Sequence, residues 1–340
     1  MTRAGATSPV PIGPLVSVAT AALAGVLLGL ALGATAPVSG VTDAGEVVSV
    51  AIPVTRVVLD LAAATAIGLA LLPVLTGYDR PRLSEPVLAR GRPVAVAAAL
   101  VWAVAALVSL VLQAAEYRPG SGTVSFADLG EYVRTVAAGK ALLIVAALAL
   151  TLAALNVLAV RRGERVPAEV RAGLGLFTLL PLPVTGHAGT WSFSDLTMVS
   201  IELHVLAAVA WTGGLGAMVV LLAANRTLLA HALPRFSRLA TVSVLLTAAT
   251  GLFNALVQLA IDPATDVWTS LFGTPYGRLV LGKLACLAAI GALGAYLRWR
   301  LLPRIVRHER TALVQWATLE LTAMALAFGI AAVLSRAPAA

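Results

Sequence analysis

Residues 200–223 read SIELHVLAAVAWTGGLGAMVVLLA. The run is long enough to cross a bilayer, for which about 20 apolar residues suffice at a rise of about 1.5 Å each. It nevertheless holds Glu202 and His204 near its start and Trp211, Gly213 and Gly214 about its middle. Ionisable groups in hydrocarbon are costly and mark function. At about 100° per residue, Ser200, His204, Ala207, Ala208 and Trp211 fall on one face, while Glu202 and the glycine pair look elsewhere. The expectation is a spanning helix whose His204 face carries chemistry and whose glycines admit a second helix at close range.

Composition extends this reading to the whole chain. Hydrophobic residues make up 59%, charged residues 12%, and the mean hydropathy is +0.93, far from the soluble norm of about 45–50% apolar and about 25% charged. The chain reads as an integral membrane protein. The net charge of +8 is carried by arginines clustered between apolar runs, where positive residues set orientation, so nucleic acid is not a partner. A single cysteine, Cys286, excludes an intrachain disulfide. No phosphate-binding glycine loop and no Cys-x-x-Cys are present, which argues against nucleotide coupling within the chain.

Apolar stretches of spanning length lie at 15–36, 53–75, 93–115, 137–160, 168–186, 198–224, 237–261, 277–299 and 312–334. The fold class expected is therefore all-α, a polytopic transmembrane bundle of about nine spans. The first stretch is followed by small residues at 33–36 like those of a signal cleavage site. Its length and the scarcity of preceding basic residues favour a retained helix. Arg80, Arg82, Arg90 and Arg92, then Arg161, Arg162, Arg165 and Arg171, then Arg226, Arg235 and Arg238, then Arg298, Arg300, Arg304, Arg307 and Arg310 fall in alternate loops. That side is expected to face the cytoplasm, with the N-terminus inside and the C-terminus outside.

With this orientation Asp60, Lys140, His187, His204, Asn254, Gln258 and Lys283 all fall in the outer half of the bilayer. One reading is an outward-facing polar site shared by several helices. The plainer one is that Arg56 pairs with Asp60 one turn away while Lys140 and Lys283 extend to the headgroups. Internal similarity is also visible. Leu59-Asp60-Leu61 resembles Leu203-His204-Val205, Gly139-Lys140 resembles Gly282-Lys283, and Gln113 resembles Gln258, all about 144 residues apart. A parallel duplication follows, with a four-helix unit at 1–165, a second at 166–311 and an additional helix at 312–340.

His204-x-x-Ala207-x-x-x-Trp211-x-Gly213-Gly214, then Phe236-Ser237-x-x-Ala240 with Thr250-Gly251, then Tyr276-Gly277-Arg278-Leu279 and Gly282-Lys283 resemble the copper-resistance protein D (CopD) family of bacterial membrane proteins. The resemblance implies copper handling at the cytoplasmic membrane, with uptake from outside and an extracytoplasmic carrier of the CopC type as partner. A transporter is thus expected rather than an enzyme. The same His and Gly-Lys pattern is also similar to HemJ-type protoporphyrinogen oxidases, which implies haem b as an alternative cofactor with His204 and Lys283 at its site, and a membrane oxidoreductase or assembly factor as the function.

Ligand chemistry leaves both open, because imidazole suits Cu(II) and haem iron while Cu(I) prefers thiolate and thioether. His187 and His204, with Met198 between them, are the candidate metal ligands. Asp60, Lys140, Glu202, Trp211, Asn254, Lys283, Glu320 and Met324 are candidates for a pathway or for groups that support the ligands. Ser243, Thr247, Thr250, Asn254 and Gln258 form a polar stripe at helical spacing, suited either to a pathway or to hydrogen bonds between helices. His231 and His308 lie among loop arginines and read as solvated.

Overall fold

The computed structural model describes residues 12–33, 45–118, 123–186, 194–260, 266–301, 303–304, 307 and 313–337. Regular structure among them is entirely helical: α1 (Ile12–Gly33), α2 (Glu46–Thr76), α3 (Pro81–Tyr117), α4 (Phe126–Thr135), α5 (Ala137–Arg162), α6 (Ala168–Leu179), α7 (Ser194–Leu222), α8 (Arg226–Leu259), α9 (Val267–Gly273), α10 (Pro275–Tyr296) and α11 (Leu313–Leu334). The polytopic helical bundle expected from composition is the fold.

Eight of these helices, α1, α2, α3, α5, α7, α8, α10 and α11, are long and apolar enough to span a membrane, against the nine stretches of the sequence. The difference is the stretch 168–186. There α6 has 12 residues and stops at Leu179, and the chain continues through Pro181 into a short 3-10 turn, Leu182–Thr185. Twelve residues reach about 18 Å, and Pro181 and Pro183 lack the N–H donors that a continuing helix uses, so the passage from the Arg171–Glu164 end of the bundle to the Arg56–Thr185 end is completed by the 3-10 turn and no single helix spans it.

Helix starts follow from local polar chemistry. Ser125 and Asp128 form a capping box at the start of α4, Asn225 accepts from Leu228 N ahead of α8, Asp266 from Thr269 N ahead of α9, and Thr274 from Gly277 N ahead of α10. Each satisfies an N–H that has no partner within its helix.

Packing divides the bundle into a tight group and a looser one. In the first, α2, α3 and α5 bury an alanine-rich core including Ala63, Ala66, Ala99, Ala106 and Ala149 around Trp102, Ile67 and Leu152. Short side chains let the backbones approach, which favours helix association in lipid. α7 joins this group through Gly213, whose Cα hydrogen faces the carbonyl of Ala64 on α2, while Gly68 faces the carbonyl of Gly213 in return. Gly25 of α1 and Gly329 of α11 approach each other's helices as closely. In the second group α8 packs along α7 and α10 along α11, but α8 and α10 meet at few places. Only 11% of the α8 span and 22% of the α10 span are buried, against 50% for α3.

Opposite ends of the bundle carry different charge lattices. At the arginine-rich end, Arg92 donates to both Glu85 oxygens (2.7 and 2.8 Å) and to Glu164 (2.9 Å), Arg171 reaches Glu164 (3.3 Å), and Tyr78 donates to Glu169 (2.6 Å). That last bond holds the Glu169 carboxyl below its ordinary pKa. Arg235 of α8 donates to the carbonyls of Leu75 and Thr76 at 3.3 Å, capping α2 with a cation. His231, read from the sequence as a solvated loop residue, lies within α8, with its Nε2 buried 3.7 Å from the Asp79 carboxylate. At the other end Arg118 bridges Asp128 and Glu131, Tyr132 donates to Gln113, and Arg336 pairs with Glu116.

Candidate functional site

His204 is the centre of the polar interior of the second group. Its Nδ1 stands 3.1 Å from Thr250 Oγ1 on α8. The Thr250 hydroxyl itself donates to the carbonyl of Leu246 at 2.6 Å, one turn back. With its proton committed there, Oγ1 faces the imidazole as an acceptor for an Nδ1–H, and the ring also hydrogen-bonds the Thr247 backbone; the tautomer that donates from Nδ1 is the one that leaves Nε2 a lone pair. This is the arrangement that prepares a histidine for a metal, one nitrogen fixed by a hydrogen bond and the other left to ligate.

Gly251 makes room for the ring. A Cβ at that position would lie 3.2 Å from His204 Cε1 and 3.5 Å from Nδ1, so the imidazole edge rests on α8 backbone that has no side chain. Ser200, one turn before His204, donates to the Thr250 carbonyl at 3.4 Å and fastens the same two helices. Lys283 of α10 lies within electrostatic reach of both His204 and Cys286. Thr247 Oγ1, Asn254 Oδ1 and Gln258 Oε1, all on α8, are buried without hydrogen-bond partners. Buried oxygens in that state call for water or a cation.

Nearer the arginine-rich end, Trp211, Glu320 and Met324 come together between α7 and α11. Thr212 Oγ1 donates to Met324 Sδ at 3.4 Å. Glu320 Oε1 lies against Gly294 of α10, about 3.5 Å from where a Cβ would stand, and the Trp211 indole lies within interaction range of its carboxyl without completing a hydrogen bond of good geometry. Glu320 and Trp211 are only 3% and 4% exposed.

The remaining candidates lie elsewhere. Asp60 is held by Arg56 (Nε to Oδ1 3.1 Å, to Oδ2 3.2 Å), and Arg56 also donates to Thr185 at 3.0 Å. Arg56 lines a cleft with Ser109, Gln113, Thr185, Ser335 and Arg336, between α2, α3 and the end of α11. By register Asp60 is level with His204: Gly68 meets Gly213 across parallel α2 and α7, and eight residues earlier on each stand Asp60 and Val205. The two share a depth, with the Asp60 carboxylate committed to Arg56. Lys140 is exposed, Met198 and Glu202 are half-buried towards the start of α7, and His187 and His308 lie outside the described residues.

Three participants escaped the sequence reading. Cys286 is buried one turn from Lys283 on the same α10 face, Thr212 meets Met324, and Gly294 admits the Glu320 carboxyl. For Cys286 the signal was its i+3 spacing from Lys283; for the other two it lay in the packing of α11, which one chain cannot show. Among the described residues no three His, Cys, Asp or Glu side chains gather as a metal cluster.

Comparison with known families closes the description. Residues 42–192 match the copper resistance protein D-like N-terminal domain, covering α2 to α6, and residues 230–334 match copper resistance protein D, covering most of α8 through α11, with α7 between the two. No curated protein and no solved structure matches the chain. Matched on both sides of its central helix, and built as a multi-pass helical bundle, the chain belongs to the copper resistance protein D family and is a copper-related membrane protein.

Proposed function

We propose that this protein binds copper at His204, in the half of the bundle that faces out of the cell, and passes it across the cytoplasmic membrane to the arginine-rich side. The supporting observation is the imidazole itself, with Nδ1 3.1 Å from the Thr250 hydroxyl and its edge seated on Gly251, in the tautomer that leaves Nε2 to ligate. The unpartnered oxygens of Thr247, Asn254 and Gln258 give a cation further stopping places along α8. Met198 and His187 are assigned to the entrance, where an extracytoplasmic carrier of the CopC type would deliver its ion. Metal analysis of detergent-purified protein tests this, with copper retained by the wild type and reduced in His204→Ala. Equal copper content in both would overturn it.

One observation favours a second reading, haem b held between α8 and α10. These helices meet at few places, and Lys283 lies within electrostatic reach of His204. When bound, haem would supply one-electron chemistry, and His204 and Lys283 would be the residues that hold it. A Soret band with stoichiometric iron in the purified protein selects this reading. Its absence, with copper present, removes it.

A further inference from the structure

We infer that Glu320 and Met324 form a second cation site, selective for Cu(I), closer to the arginine-rich end than His204; it rests on the reading of the chain as a copper protein. Glu320 and Met324 are one turn apart on α11 and both face α7, where Thr212 and Trp211 meet them. Thr212 stands eight residues beyond His204, about 12 Å along the helix.

The chemistry of the pair selects the ion. A thioether is a soft, neutral donor that suits Cu(I) and has little affinity for hard cations. The Glu320 carboxyl supplies the one negative charge, and among the described residues it has no ion-pair partner. A lone ionised carboxylate at this depth is costly, whereas a monovalent cation seated on it leaves the pair neutral, the state hydrocarbon tolerates at least cost. A divalent ion would leave a buried positive charge with no second carboxylate to meet it.

The route between the two sites runs down one face of α10. Lys283, Cys286, Ile290 and Gly294 succeed one another at helical spacing on that face. Lys283 is within reach of His204 at one end, Gly294 accommodates the Glu320 carboxyl at the other, and the Cys286 thiol stands between them. Cys286 and Ile290 are buried. An ion leaving His204 thus meets a thiol before it meets the thioether.

The test is anaerobic titration of the full-length protein in detergent with Cu(I), read as bound equivalents and as sulfur scattering in X-ray absorption. The wild type should hold two equivalents. Glu320→Gln and Met324→Leu keep side-chain volume, so each should elute as a folded, monodisperse protein holding one, and Met324→Leu should lose sulfur scattering. His204→Ala should retain the sulfur-bound equivalent. Two equivalents with unchanged scattering in both α11 variants overturn the inference and leave the His204 reading standing. A sulfur-bound equivalent that is the same in wild type and His204→Ala, with nothing lost, overturns the His204 reading instead. No Cu(I) bound by the wild type overturns the inference, while the His204 reading, which a Cu(II) ion also satisfies, stands or falls on the copper content of the purified protein.

Discussion

Gly68 and Gly213 meet backbone to backbone: a Cβ on Gly68 would fall 2.0 Å from the Gly213 carbonyl oxygen, and one on Gly213 would fall 2.1 Å from that of Ala64. No side chain is available to move aside, so α2 and α7 can keep this distance only while both positions are glycine. Gly213→Ala is expected to force the helices apart and to lower stability by about 1–3 kcal/mol, the usual cost of overpacking. Thermal unfolding followed by tryptophan fluorescence or size-exclusion decay checks this, and an unshifted transition would contradict the contact.

Thr250→Val removes the acceptor that fixes His204 Nδ1 while preserving volume. Copper affinity should fall about 10–100-fold, the usual cost of losing a group that orients a ligand, and His204→Ala should abolish the site. Competition against a chelator of known affinity measures both. If Thr250→Val bound copper as the wild type does, the hydrogen bond would have no part in ligation.

Asp60→Ala should act on stability and leave copper alone. It strips the partner from the Arg56 guanidinium in a position where Asp60 is 8% exposed, and an uncompensated charge of this kind costs about 3–5 kcal/mol. Unfolding midpoint and copper stoichiometry, measured on the same preparation, separate the effects. Lost copper in a protein of unchanged stability would bring Asp60 into the binding site.

Membrane sidedness follows from the two charge lattices. In a Cys286→Ser background, Arg165→Cys should react with a membrane-impermeant maleimide only after the membrane is opened, and Asp195→Cys should react on intact cells. Equal labelling of both on intact cells would remove the inside-outside assignment.

Spanning helices were plain in the sequence because each is a long apolar run, and the closeness of α2 and α7 was foreshadowed by Gly213. What the linear pattern handled poorly is the stretch 168–186, where apolar content was continuous but Pro181 and Pro183 cut the helix to 12 residues. Hydropathy measures composition and is blind to the missing N–H groups. His204 was legible as an ionisable group in an apolar run. Its hydrogen bond to Thr250 was not, since it depends on which faces of α7 and α8 meet. Asp60 was legible in the same way, and the pairing with Arg56 one turn away, the plainer of the two readings, is what the structure has.

The contrast between the alanine-dense group and the loosely joined α8 and α10 bears on how this protein tolerates change. Where helices touch through Ala and Gly backbones, almost any replacement is too large, so α2, α3 and α5 act as an inelastic frame. α8 and α10 have few fully buried residues along their spans and meet each other sparsely, so a new side chain there meets less protein. A saturation survey scored separately for membrane insertion and for metal content should therefore split along this line: losses of insertion concentrated in the frame, and altered metal preference, with normal insertion, concentrated on the two helices that hold Thr250 and Lys283.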